Sequence, residues 1–197
     1  DRPATWQACI ACGNETTELD ARSRCARCGG LLEVQHRPPD LTRTELLQRF
    51  TERRGGPRSA ASASGVWRFR DMVMPSADRI VSYPEGNTPL LTRPALDDWS
   101  GIDGLQLKHE GQNPTGSFKD RGMTVGVTQA LRIGASAVAC ASTGNTAASL
   151  AAYAAQAGLP ALVLMPAGAV AAGKLAQAMA YGGRTLVVAG DFDACLR

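Results

Sequence analysis

The sequence predicts an α/β fold, a parallel sheet with helices on both faces, behind a small N-terminal unit of a different kind. Three observations lead there. Apolar strands alternate with helical segments from residue 105 onward, a glycine follows each helical segment, and cysteines gather in two pairs near the start. The alternation runs through a strand at Leu105–Lys108, a helix at about Phe118–Ile133, a strand at Ala137–Ala141 and a helix at about Thr146–Gln156. It continues with a strand at Ala161–Met165, a helix at Gly173–Tyr181 and a strand at Thr185–Val188. Gly134, Gly158 and Gly182 stand where helix C-caps favour glycine. Repeated β-α-β units imply right-handed crossovers and a parallel sheet. Ligands of such sheets bind at the carboxyl ends of the strands, so the loops leading into the helices are where chemistry is expected.

Composition and charge narrow the function. With 197 residues, 44% hydrophobic and 20% charged, the chain is globular and long enough to bury a core. The formal net charge of +3 is local: residues 1–70 hold twelve Arg against eight acids, and the remainder is slightly acidic. A nucleic-acid binder concentrates positive charge on its binding face, so nucleic acid is not expected and a small-molecule partner is. No stretch approaches the roughly 20 apolar residues of a membrane span, and no signal segment opens the chain, which makes a cytoplasmic location the default. The chain begins at Asp1 rather than Met and stops at Arg197 inside what reads as the opening of a helix, 192–196, so a fragment or processed chain is expected.

Three regions separate by composition. Residues 1–36 carry four cysteines and lack long apolar runs, so they cannot build a core unaided. Residues 37–65 hold one modest helical pattern, Leu41–Phe50, then Gly55-Gly56-Pro57 and an Ala/Ser run to Gly65 that reads as a connector. Residues 66–197 form the α/β domain.

The first strand-to-helix loop spans Glu110–Ser117. Ser117, with Asp120 three positions on, reads as a helix N-cap with a capping box, which puts Lys119 in the first turn. There the positive end of the helix dipole and the nearby Arg121 act against a cation and favour the nucleophilic amine. The alternative is a solvated surface lysine. The run Asn113-Pro114-Thr115-Gly116-Ser117-Phe118-Lys119-Asp120-Arg121-Gly122 resembles the lysine motif of pyridoxal-phosphate enzymes of the tryptophan-synthase-like fold, most closely the threonine synthase branch. The resemblance implies that Lys119 binds pyridoxal phosphate as a Schiff base.

The second loop, Ser142-Thr143-Gly144-Asn145-Thr146, opens an Ala-rich helix. Its hydroxyls, its glycine and the free amides of a helix start suit an anion, although an ordinary N-cap with turn residues reads the same way. In similar enzymes this loop grips the substrate carboxylate and its Asn touches the cofactor ring hydroxyl. The resemblance carries those roles to Ser142, Thr143, Thr146 and Asn145. It extends to Glu85-Gly86-Asn87-Thr88-Pro89-Leu90, to Gly65-Val66-Trp67-Arg68-Phe69-Arg70, and to 166–174, where Lys174 is either a ligand for a substrate phosphate or an exposed lysine.

Cys9-x-x-Cys12 and Cys25-x-x-Cys28, each followed by Gly, have the spacing of two zinc knuckles, with disulfides or a redox pair as the competing readings. Such a ribbon is either a nucleic-acid module or a structural cap held by metal. Cys28-Gly29-Gly30-Leu31-Leu32-Glu33-Val34 resembles the end of the N-terminal ribbon of longer threonine synthases, which supports the cap. Cys140 and Cys195 stand alone and read as buried apolar residues.

The whole resembles the N-terminal portion of the threonine synthase family. That implies conversion of O-phospho-L-homoserine and water to L-threonine and phosphate by γ-elimination and β-addition, an amino-acid substrate, and a homodimer for a full-length protein. Threonine dehydratase-like and cysteate synthase-like enzymes share both loops and remain alternatives, as does a zinc-ribbon binding module on an inactive domain. Similar enzymes hold the cofactor phosphate on a Gly/Asn-rich loop, and none occurs up to Arg197. The chain by itself is therefore expected to bind the cofactor weakly and to be inactive.

Overall fold

The computed structural model describes residues 3–55, 63–168 and 172–195. Gly56, Pro57 and most of the Ala/Ser connector lie outside the described residues, as do 169–171 and Leu196.

At the N-terminus, β1 (Thr5–Cys9) alternates between buried Thr5, Gln7 and Cys9 and more open neighbours, the period-2 pattern of a half-covered strand. It pairs antiparallel with β2 (Glu15–Thr17) on one side and β3 (Leu32–His36) on the other. This ribbon sits against the α/β domain through Glu18. Its carboxylate accepts from Arg132 Nη2 at 2.7 Å and Ser76 Oγ at 2.8 Å, while Gln129 Nε2 donates to its carbonyl at 2.6 Å.

Helix α1 (Arg43–Gly55) starts with a reciprocal cap, Thr42 N–H to Glu45 Oε2 at 2.7 Å and Glu45 N–H to Thr42 Oγ1 at 3.3 Å. It runs past the expected end at Phe50 because its last turn is anchored. Arg53 donates to Arg68 O at 2.9 Å and pairs with Asp71, and Phe50 meets Phe69 edge-on at 4.8 Å. A 3-10 turn at Trp67–Phe69 and the short α2 (Arg70–Val73) follow. Trp67 is completely buried, with Nε1 donating to Thr124 Oγ1 at 2.7 Å, whose own hydroxyl donates to Val81 O at 2.6 Å.

The alternating half yields α4 (Lys119–Arg132), β6 (Val138–Ala141), α5 (Asn145–Ala157), β7 (Ala161–Pro166), α6 (Ala172–Ala180) and β8 (Arg184–Val188), after the intervening β4 (Leu90–Leu91), α3 (Pro94–Ser100) and β5 (Leu107–Lys108). Strands β6, β7 and β8 are parallel with β7 central. Ala161, Val163 and Met165 point to one face, where Ala147, Ala151 and Ala154 of α5 and Ala178 of α6 cover them; small residues let the helices approach closely. Helix α4 packs on α5 as an outer layer through Val127, Leu150 and Tyr153. Gly134, Gly158 and Gly182 follow the three helices at φ 72°, 71° and 84°, the left-handed C-cap conformation.

One expectation is corrected. The strand near Leu105 does not join the parallel sheet: it shortens to β5 and pairs antiparallel with β4. Only two residues of apolar alternation are available there, with Gly104 before and Gly111 after. Helices α5 and α6 cover one face of this sheet, and the other carries Leu162, Leu164 and Leu186, the last of them half exposed. Sequential order β6-β7-β8 with right-handed crossovers puts both connecting helices on the same side. Among the described residues no helix is long and apolar enough to cross a membrane.

Candidate functional site

The loop before Lys119 is held by hydrogen bonds to Gly86, Thr88 and Arg121. Gly86 N–H donates to Asn113 Oδ1 at 2.9 Å, and Asn113 Nδ2 donates to Glu110 O at 2.8 Å. Arg121 holds Glu110 through Nε–Oε2 at 2.7 Å and Nη2–Oε1 at 2.8 Å, and Thr88 Oγ1 adds a donor to Oε1 at 2.6 Å. The Arg121 guanidinium keeps the Glu110 carboxyl far below its ordinary range, at about 2. Behind this, the Gly65 and Gly86 backbones touch. A Cβ on Gly65 would lie 2.1 Å from Asn87 N, and Gly86 has φ 79°, so both positions exclude a side chain.

Lys119 opens α4 in a half-buried position, but the anticipated capping box does not form. Ser117 Oγ accepts from Lys119 N–H at 3.3 Å, whereas Asp120 turns away from Ser117. It is completely buried and accepts from Thr115 N–H at 2.8 Å, Thr115 Oγ1 at 2.5 Å and Ser149 Oγ at 2.6 Å. The buried loop backbone outcompetes the cap because its amide has no water to turn to. Nor does Arg121 stand as an unneutralised charge beside Lys119, since it is spent on Glu110.

The chain has three lysines, and their amines differ. Lys108 Nζ donates to Thr88 O at 2.6 Å, and Lys174 Nζ donates to Thr115 O at 3.3 Å and Gln177 Oε1 at 3.0 Å. Lys119 Nζ rests over the Phe118 ring, 5.0 Å from its centre, and among the described residues it forms no ion pair. Among the described residues its amine makes no hydrogen bond, unlike those of Lys108 and Lys174.

Ser142, Thr143, Gly144, Asn145 and Thr146 form the turn from β6 into α5 and are all half-buried. Ser142 Oγ accepts from Gly144 N–H at 3.2 Å, and no side chain caps α5. A Cβ on Gly144 would meet nothing within 4 Å, so the turn borders open space. An uncapped helix start facing open space can hold an anion.

Helices α4 and α5 pack side by side, joined near their starts by Asp120 and Ser149, while Lys174 and Gln177 of α6 reach the Thr115 carbonyl. The beginnings of three helices thus converge on Thr115, bringing the Lys119 loop, the Ser142–Thr146 helix and Lys174 to one end of the sheet. Thr115, Asp120, Ser149 and Gln177 were not singled out from the sequence as parts of this site. A signal did exist for Ser149. With Tyr153, four residues on, it forms a polar stripe on an Ala-rich helix, and both are completely buried. Tyr153 OH donates to Glu85 Oε2 at 2.8 Å.

At the other end, the Cys9, Cys12, Cys25 and Cys28 sulfurs all lie within 4.8 Å of one another. Sγ–Sγ separations are 3.5 Å for Cys9–Cys28, 3.8 Å for Cys12–Cys25 and 3.3 Å for Cys12–Cys28, and none of the six cysteines is in a disulfide. Tetrahedral zinc with Zn–S near 2.3 Å requires about 3.8 Å between sulfurs. Cys140 lies against the core, where burial pushes its thiol up to about 11, as expected of an inert apolar residue.

Known proteins agree with this architecture. Residues 81–197 match the family described as pyridoxal-phosphate dependent enzyme. The chain is 45% identical over 188 residues to the threonine synthase of Methanosarcina acetivorans, covering 95% of this chain and 44% of that protein. It is 47% identical over 191 residues to that of Methanocaldococcus jannaschii, covering 96% and 45%. The chain therefore spans a little under half the length of these relatives. Among solved structures, maize serine racemase superposes with a TM-score of 0.50 at 27% identity, over 55% of this chain and 33% of the racemase. The α/β half thus has the tryptophan synthase β-like fold of pyridoxal-phosphate enzymes, and the chain belongs to the pyridoxal-phosphate dependent enzyme family.

Proposed function

We propose that this chain is the N-terminal portion of a threonine synthase, which converts O-phospho-L-homoserine and water to L-threonine and phosphate. The observation that carries the proposal is the uncommitted amine of Lys119, at the convergence of three helix starts, in a chain similar to threonine synthases along nearly its whole length.

The residues fit pyridoxal phosphate: an unpaired lysine amine for its aldehyde, and beside it an uncapped helix start for an anionic group. When bound, the cofactor supplies an electron sink for the substrate α-carbon. Lys119 would hold the cofactor through its amine and would carry protons at the substrate Cα and Cβ. The first amides of α5, with Ser142, Thr143 and Thr146, would orient the substrate carboxylate, and Asn145 would help to hold the cofactor ring. Lys174 serves the substrate phosphate. Its partners Thr115 O and Gln177 Oε1 are neutral, which leaves its positive charge uncompensated. Overall, phosphate would leave Cγ with the bonding electrons and take up a proton, and Cγ would gain a proton to become the methyl group. Cβ would exchange one hydrogen for the hydroxyl of water, so that the Cβ hydrogen and the remaining water proton supply the two protons taken up.

The four N-terminal thiolates would hold a structural zinc ion, for which the gathering of all four sulfurs within 4.8 Å of one another is the support. The tie through Glu18 to α4 favours a cap on the enzyme over a free-standing nucleic-acid module.

Assay of the intact gene product tests the assignment. Equal yields of threonine and phosphate from O-phospho-L-homoserine are expected. Ammonia from threonine, with phosphohomoserine untouched, would contradict it and favour a dehydratase-like lyase.

A further inference from the structure

Asp120 follows Lys119 directly, is completely buried, and receives all its described hydrogen bonds from neutral donors: Thr115 N–H, Thr115 Oγ1 and Ser149 Oγ. Burying a carboxyl group is costly, and an apolar side chain of similar size would fill the same space. The three bonds are therefore the reason to look for a function. Thr115 belongs to the loop in front of Lys119, and Ser149 lies one turn inside the helix that the Ser142–Thr146 loop opens. The Thr115 carbonyl is held in turn by Lys174 Nζ and Gln177 Nε2, at 3.3 and 3.1 Å. One carboxyl group thus ties together the backbone carrying the free lysine amine and the helix carrying the anion-binding turn.

We infer that Asp120 is a positioning residue: through Thr115 and Ser149 it fixes Lys119 in register with the Ser142–Thr146 loop. This rests on the reading of Lys119 as the cofactor lysine. Reactions between two groups held in place fall steeply with small displacements, since an ångström of misplacement is worth up to about a hundredfold in rate. Ser149 supplies the link between the two loops. Its loss leaves the Thr115 bonds to Asp120 intact and frees α5 to shift against α4.

The test compares Ser149→Ala, Ser149→Thr and Asp120→Asn with the unmodified protein. Each is incubated with pyridoxal phosphate, quenched with borohydride at timed intervals, and mapped for label at Lys119, with label at Lys108 as internal control and circular dichroism as the check on folding. Folded Ser149→Ala is expected to label Lys119 about tenfold more slowly with Lys108 unchanged, the loss of one well-placed hydrogen bond. Ser149→Thr, which keeps the hydroxyl, is expected to recover most of the rate, and Asp120→Asn to be at least as slow as Ser149→Ala. An unmodified labelling rate in folded Ser149→Ala overturns the inference even if its melting temperature falls, and Ser149→Ala decides alone should Asp120→Asn not fold.

A second measurement stands apart from the cofactor. Amide hydrogen exchange over residues 113–121 is expected to quicken about tenfold in Ser149→Ala, reflecting weaker local restraint. Unchanged exchange overturns the inference. If the unmodified protein takes no label at Lys119, the cofactor reading fails, and exchange alone still decides whether Asp120 and Ser149 hold the loop.

Discussion

Arg121 grips Glu110 through two parallel hydrogen bonds, Nε to Oε2 at 2.7 Å and Nη2 to Oε1 at 2.8 Å, and the same Nη2 lies 3.1 Å from Thr88 Oγ1. A fork-to-carboxylate pair of this kind is directional as well as attractive. It clamps the Lys119 loop to the Glu85–Leu90 segment, so the arginine of the lysine motif acts on the architecture of the loop.

Acid should loosen that clamp. Glu110 titrates at about 2 when folded, against an ordinary glutamate value of about 4.3. A lowered folded value means the pair contributes fully above the unfolded value and is lost as pH falls through the folded one. Urea melts of the unmodified protein should lose stability between pH about 4.3 and about 2, and Glu110→Gln should flatten that acid limb. Asp71 and Glu18 are lowered as well, so the difference between the two proteins carries the information.

The ribbon should be coupled energetically to α4. Arg132 and Glu18 meet at 2.7 Å with both side chains mostly buried. Arg132→Ala should cost about 2 kcal/mol, the range for a buried hydrogen bond to a charged group. A double-mutant cycle with Glu18→Ala should recover much of that as coupling energy, and additive effects would show that the two units are independent.

Zinc should be countable. Metal analysis is expected to find one ion per chain, and chelation should melt the β1–β3 ribbon while α4 to β8 remains folded, because thirty residues with so small a core depend on the metal. Gly30→Ala should weaken the site, since its Cβ would stand 2.9 Å from both Cys9 Sγ and Ala11 Cβ. Full stability after removal of metal would count against a structural ion.

Trp67 should separate packing from hydrogen bonding. Trp67→Ala should cost about 3–5 kcal/mol by leaving a cavity. Trp67→Phe should cost less, about 1–2 kcal/mol, by removing the donor to Thr124 Oγ1 while keeping most of the ring volume. Thermal denaturation of the two variants checks the ordering.

Much of the fold was legible because its signals are local. Alternating apolar runs with a glycine after each helix mark β6 to β8, and their helices come within a residue or two of the expected bounds. The short pairing of β4 with β5 was not legible, since antiparallel partners sixteen or more residues apart leave no periodic trace in two-residue strands. In the site, Lys119 and the Ser142–Thr146 turn were legible through the resemblance of their runs to family motifs, since residue type and position alone fit a surface lysine and an ordinary N-cap as well. Asp120 did not, because a first-turn acid after a serine reads equally well as a cap, and only the fold reveals that Thr115 and Ser149 are its partners. Gln177 was invisible for the same reason: its contact with Thr115 spans 62 positions.

Borohydride trapping decides whether Lys119 is the cofactor lysine. The protein is incubated with pyridoxal phosphate, reduced, digested and mapped by mass spectrometry. A reduced adduct is stable, so even a weakly held cofactor leaves a record. The label is expected on Lys119 in preference to Lys108 and Lys174, whose amines are bonded to Thr88 O and Thr115 O, and it should vanish in Lys119→Ala. Label spread evenly over the three lysines, or undiminished in Lys119→Ala, would show that Lys119 is not the cofactor lysine.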